Sequence, residues 1–134
     1  MAELAGSAFE HLDFVSGAFD GIKKMSAPYS ALVFKLVHHL GVLSDEGERI
    51  FKGAWRDAPA QFGSLGVQIS DENGNTKSNA KAAKERTVSF RGSDLKFWWH
   101  IKLEPDRDRI HIYPDQVHSG NKIIVGIFCR HLTV

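Results

Sequence analysis

Phe97-Trp98-Trp99-His100-Ile101-Lys102-Leu103, answered after a short interval by Arg109-Ile110-His111-Ile112-Tyr113, is the stretch whose reading decides the fold. Strand side chains alternate between faces, so Lys96, Trp98, His100 and Lys102 fall on one side. Phe97, Trp99, Ile101 and Leu103 fall on the other. A hairpin loop over 104–107, with Pro105 where a type I turn prefers it, sets Leu103 opposite Asp108 and Lys102 opposite Arg109. It also sets His100 opposite His111 and Trp98 opposite Tyr113. The second face then pairs Ile101 with Ile110 and Trp99 with Ile112. Slipping the register by one residue would mix the two faces, which is why this pairing is the one expected.

The polar face of that hairpin is the candidate site. Like charges set opposite each other repel, and an anion lying over them relieves the repulsion. Arg109 grips phosphate with a planar fork and Lys102 adds a point charge. Neighbouring cations favour the neutral imidazole that a general base needs, which makes His100 and His111 the catalytic candidates with Lys102 and Arg109. Lys96, Trp98, Tyr113 and Arg130 are the candidate substrate contacts, the aromatics by stacking on a base. The same pattern also fits a structural sheet with partly buried histidines.

Outward from the hairpin, Thr87 to Phe90 reads as a strand, Arg91 to Asp94 as a turn, Leu95 to Leu103 as one strand, and Lys122 to Arg130 as a Val- and Ile-rich central strand. Upstream, Ala2 to Lys24 reads as helical. Ser26 and Pro28 start a helix over Tyr29 to Leu40, with Gly41 as its C-cap. Ser44 to Gly47 opens a third helix over Glu46 to Ala58. Val67 to Ile69 is a short strand or loop end, and Lys77 to Arg86 a short exposed helix or basic arm. The expectation is an α+β single domain over 1–134: about three N-terminal helices in 1–66, a polar connecting segment over 67–86, and an antiparallel sheet of about four strands over 87–134.

At 43% hydrophobic and 25% charged, the chain has the composition of a folded domain. No run of 18 apolar residues and no secretory leader pattern are present, so no membrane partner is expected. The single cysteine, Cys129, suits a reducing cytoplasm and reads as a buried thiol. Net charge is +1, yet residues 1–76 carry 6 Lys/Arg against 10 Asp/Glu and residues 77–134 carry 11 against 6. Either the basic half faces a polyanion or the two halves attract each other within the fold.

Other motifs are weaker. His38 and His39 sit about 100° apart around a helix and read as edge-of-core residues. His111, Asp115 and His118 lack zinc-ligand spacing, so no metal or other cofactor is expected. There is no phosphate-binding glycine loop, and no nucleophile elbow marks Ser-His-Asp chemistry.

Helices preceding a sheet that carries Lys96, His100, Lys102, Arg109, His111 and Arg130 on its face make residues 44–134 resemble the RelE/ParE-type small bacterial toxins, on architecture rather than motif. The additional N-terminal segment departs from that pattern. The resemblance implies a toxin of a toxin–antitoxin pair, a metal-independent endoribonuclease acting on RNA. One histidine would take the 2′-hydroxyl proton and the other would protonate the leaving oxygen, with a cognate antitoxin or other partner on the N-terminal helices. The alternatives are a protein-interaction module, such as an antitoxin, an immunity protein or a phage-defence subunit, and a nucleic-acid-binding protein.

Overall fold

A computed structural model describes residues 8–25, 29–103, 108–130 and 132. Its frame is a mixed five-stranded sheet in the spatial order Leu12–Phe14, Ile123–Arg130, Asp108–Tyr113, Trp99–Lys102, Gln68–Ser70. The strands are β1 (Leu12–Phe14), β2 (Gln68–Ser70), β5 (Trp99–Lys102), β6 (Asp108–Tyr113) and β7 (Ile123–Arg130). A separate hairpin joins β3 (Thr87–Phe90) to β4 (Ser93–Lys96). Among the described residues, the α-helices with defined bounds are α1 (Tyr29–Lys52), α2 (Ala58–Gly63), α3 (Gly74–Ser78) and α4 (Ala80–Glu85).

The chain is α+β, but its layout differs from three N-terminal helices on a four-stranded antiparallel sheet. Of the N-terminal part expected to be helical, residues 2–7 lie outside the described residues, and the rest contributes β1, which runs parallel to β7 with Leu12 beside Ile123 and Phe14 beside Val125. Gly17, at φ +79°, then turns the chain into a 3₁₀ segment over Ala18–Lys24. That segment lies so close to β7 that a Cβ on Gly21 would fall 1.8 Å from the Phe128 carbonyl oxygen. The expected cap and first turn at Ser26 and Pro28 lie outside the described residues.

The second expected helix and the first half of the third are one, since α1 runs unbroken to Lys52, whereas Ala58, the expected end of the third, begins α2. Leu32, Leu36, Leu40, Leu43, Ile50 and Phe51 are all buried along α1, so the apolar stripe keeps its 3.6-residue phase through Gly41 and Ser44. Packing of that stripe outweighs the helix cost of Gly41 and Gly47, about 1 kcal/mol each. At Gly47 the helix comes close to the sheet: a Cβ there would meet Ile123 Cδ1 at 2.8 Å.

The expected long strand over 95–103 is broken at Phe97–Trp98 into β4 and β5. The short segment at 67–69 becomes β2, the sheet edge, with Ser70 beside His100 and Gln68 beside Lys102. The core lies between α1 and one sheet face, where the Trp99 ring meets Phe51 at 5.1 Å and Trp55 at 5.8 Å, both edge-on. Among the described residues, no helix is long and apolar enough to cross a membrane.

Candidate functional site

β5 and β6 pair as the alternation predicts: His100 with His111, Lys102 with Arg109, Ile101 with Ile110 and Trp99 with Ile112. The Leu103 amide donates to the Asp108 carbonyl at 3.0 Å, closing the same register. The two imidazole centroids lie 5.4 Å apart. Trp98 precedes β5 and is not part of its ladder, and the predicted loop over 104–107 lies outside the described residues.

The cluster is covered. His100, Arg109 and His111 are 8%, 3% and 1% exposed, while Lys102 is half-buried. The segment expected to be an exposed helix or basic arm folds over the polar face as α3 and α4. Asn73 and Asn79 cap these helices, their side chains accepting from the Thr76 and Ala82 amides. Two residues of this cover enter the cluster. Glu72 Oε1 lies 3.2 Å from His100 Nδ1, and Arg86 Nη2 lies 2.5 Å from Glu72 Oε2. The Arg86 contact is an ion pair without hydrogen-bond alignment, because Oε2 accepts no well-directed bond. Arg86 is anchored by donating to the Ala82 carbonyl at 3.1 Å.

Protonation states follow from these partners. His111 Nδ1 lies 2.9 Å from the Phe97 carbonyl, which can only accept, so Nδ1 carries the proton. Full burial pulls the His111 pKa down to about 3; that hydrogen bond opposes the shift, and His100, Arg86 and Arg109 add to it. Within this burial His111 is held as a neutral imidazole whose Nδ1–H donates to the Phe97 carbonyl. The pKa of His100 is also lowered, first by burial, with Glu72 and the Trp98 carbonyl opposing and Arg109 and Lys102 reinforcing.

The other predicted contacts scatter. Lys96 is exposed on β4, outside the five-stranded sheet. Trp98 is half-buried, with Lys77 Nζ 5.9 Å from its ring centre. Tyr113 is half-buried and packs on Phe97 at 5.7 Å. Arg130 is exposed and pairs in register with Asp108, so the β7 residue beside Arg109 is Cys129. Burial pushes the Cys129 thiol up to about 12, as suits an inert core residue. His118 stacks on Trp55 at 6.3 Å. His38 is exposed; His39, half-buried, has Nδ1 2.7 Å from the Lys35 carbonyl. His131 lies outside the described residues. Of the two readings of the charge split, mutual attraction is visible in Asp71–Lys77, Glu72–Arg86 and Asp13–Arg91 at 2.8, 2.5 and 3.6 Å.

Sequence reasoning missed Ser70, Glu72 and Arg86. Ser70 Oγ lies 3.3 Å from His100 Nε2. The signal available was the polar run Ser70-Asp71-Glu72, which reads as a turn until β2 is known to pair with β5. No family model, curated protein or solved structure matches this chain.

Proposed function

We propose that this protein is an interaction module that pairs with a second copy of itself through the outer face of α1. The carrying observation is the placement of its exposed apolar side chains. Phe34 is 80% exposed and Val37 50% exposed, one turn apart on a helix whose other face is fully buried. The third large exposed apolar side chain among the described residues, Leu65, belongs to the turn beside this helix, where His38 Nε2 lies 3.5 Å from the Cβ position of Gly66. One heptad after Phe34, a Cβ on Gly41 would meet nothing within 4 Å, which leaves a notch on the same stripe. In an antiparallel pair with its two-fold axis near Val37, the Phe34 ring of each copy lies over Gly41 of the other. That is the self-complementary contact an isologous interface requires. The setting proposed is the cytoplasm, where Cys129 stays a thiol.

Sedimentation velocity tests this directly. The chain is expected to run as a dimer at micromolar concentration, with Phe34→Glu monomeric and Gly41→Ala shifted toward monomer. A monomer at every accessible concentration refutes the reading.

A second reading, RNA binding, is favoured by Lys77, Lys81 and Lys84, which are exposed on α3 and α4, with Lys77 lying over the half-buried Trp98. It requires affinity for single-stranded RNA that falls steeply with salt. RNA cleavage by the His100/His111 pair would require the 71–96 cover to lift. Equal cleavage by the wild type and His111→Ala, or none by either, would exclude that mechanism.

A further inference from the structure

Beyond docking, we propose that Ser70, His100 and Glu72 form a nucleophile–base–acid relay that hydrolyses small carboxylic esters. The site is the cleft bounded by Pro59, Gly63, Gln68, Ile69 and Lys102. Three residues from two adjacent strands and the following loop meet in the order this chemistry needs. Ser70 Oγ is 3.3 Å from His100 Nε2, and His100 Nδ1 is 3.2 Å from Glu72 Oε1. Register makes the first contact: Ser70 sits directly beside His100 in the β2–β5 ladder.

The tautomer follows from the partners. Nδ1 faces two acceptors, the Glu72 carboxylate and the Trp98 carbonyl at 3.4 Å, so it carries the ring proton. Nε2 then presents its lone pair to Ser70, whose hydroxyl donates. Burial lowers the His100 pKa and keeps the imidazole neutral, as a resting base must be. The Arg86 guanidinium lies against the second oxygen of Glu72 as an ion pair. Both His100 and Glu72 are about nine-tenths buried, whereas Ser70 is half-buried and lines an open cleft of about 270 Å³ that also includes Lys102. The relay is thus buried at its acid end and accessible at its nucleophile. A cleft of this size admits a short acyl group, and Lys102, which lines it, supplies a positive charge for the tetrahedral oxyanion.

The steps balance without another reagent. Ser70 Oγ bonds to the ester carbonyl carbon as its proton passes to His100 Nε2. The carbon–alkoxide bond breaks, and His100 returns that proton to the leaving alcohol. A water then attacks the acyl-serine, giving its proton to His100, which passes it to Ser70 Oγ as the acid departs. Glu72 stays ionised and faces the transient imidazolium.

The test is covalent labelling of the full chain with a fluorophosphonate probe, with turnover of 4-nitrophenyl acetate measured alongside. The wild type is expected to gain one label, mapped to Ser70 by peptide mass. Ser70→Ala loses the label and about a hundredfold or more of the turnover, with its melting curve retained. His100→Gln also loses the label. Glu72→Gln, where it folds, moves the acid limb of the pH–rate profile to lower pH, because the carboxylate that raises the imidazole pKa is gone. Absence of label on the wild type, or equal labelling of Ser70→Ala, overturns the assignment.

Discussion

His111 has the sequence signature of a catalytic base and the surroundings of a core residue. Its folded pKa of about 3 lies below the ordinary imidazole value of 6.5, so the unfolded chain binds the proton more tightly. Above the unfolded value the residue is neutral in both states and costs nothing. As pH falls through the window between the two values, unfolding takes up a proton and stability is lost, by up to about 1.4 kcal/mol per pH unit for this one group. His111→Asn keeps a donor for the Phe97 carbonyl and removes the titration. Its urea midpoint is expected to fall less steeply than that of the wild type between about pH 6.5 and about pH 5. Equal slopes would show that His111 is not the source. The register that places His111 opposite His100 was legible because each face of the hairpin is chemically consistent only in that alignment. Burial of the pair was not, because its cover is a polar, lysine-rich segment with no apolar stripe to announce a packed element.

At the scale of elements, a glycine inside the expected central strand acts as a contact point. β7 gains one residue relative to β6 between His111 and Ile112: Ile127 stands beside His111 and Val125 beside Ile112, leaving Gly126 as the bulge. The Phe97 ring fills the space this residue leaves, with Cε2 2.4 Å from where a Cβ would stand. Phe97 is fully buried at the break between β4 and β5, and its amide donates to the Arg86 carbonyl at 2.8 Å. Gly126→Ala must therefore displace a ring tied to both layers. It is expected to destabilise the fold by about 1–3 kcal/mol, the usual cost of overpacking, read as a lower urea midpoint at unchanged slope. An unchanged midpoint would mean that the ring moves aside freely. Nothing local distinguishes such a glycine from Gly41, which faces open space; the difference lies in a partner strand distant in sequence. The continuity of α1 was hidden for a related reason, since local breakers were weighed without the sheet that its stripe packs against.

For the whole molecule, the sheet has two coverings of opposite chemistry. α1 closes one face with apolar side chains, while the 71–96 segment closes the other through the ion pair of Glu72 with Arg86 and its contact with His100. Arg86 is 2% exposed and the Glu72 side chain 9%, so neither charge can turn to water if its partner is removed. A buried ion pair broken on one side costs about 3–5 kcal/mol, whereas replacing both members by groups of similar shape is often close to neutral. Glu72→Gln alone leaves the guanidinium without its carboxylate, and Arg86→Met alone leaves the carboxylate facing His100. Each single variant is expected to lower unfolding free energy by several kcal/mol and to speed hydrogen exchange in 74–96 ahead of β5 and β6. The double variant is expected to lose clearly less than the sum of the two, because neither orphaned charge remains. Additive losses would mean that the two side chains act independently. Uniform exchange across the sheet and its cover would mean that the polar layer does not open as a separate unit.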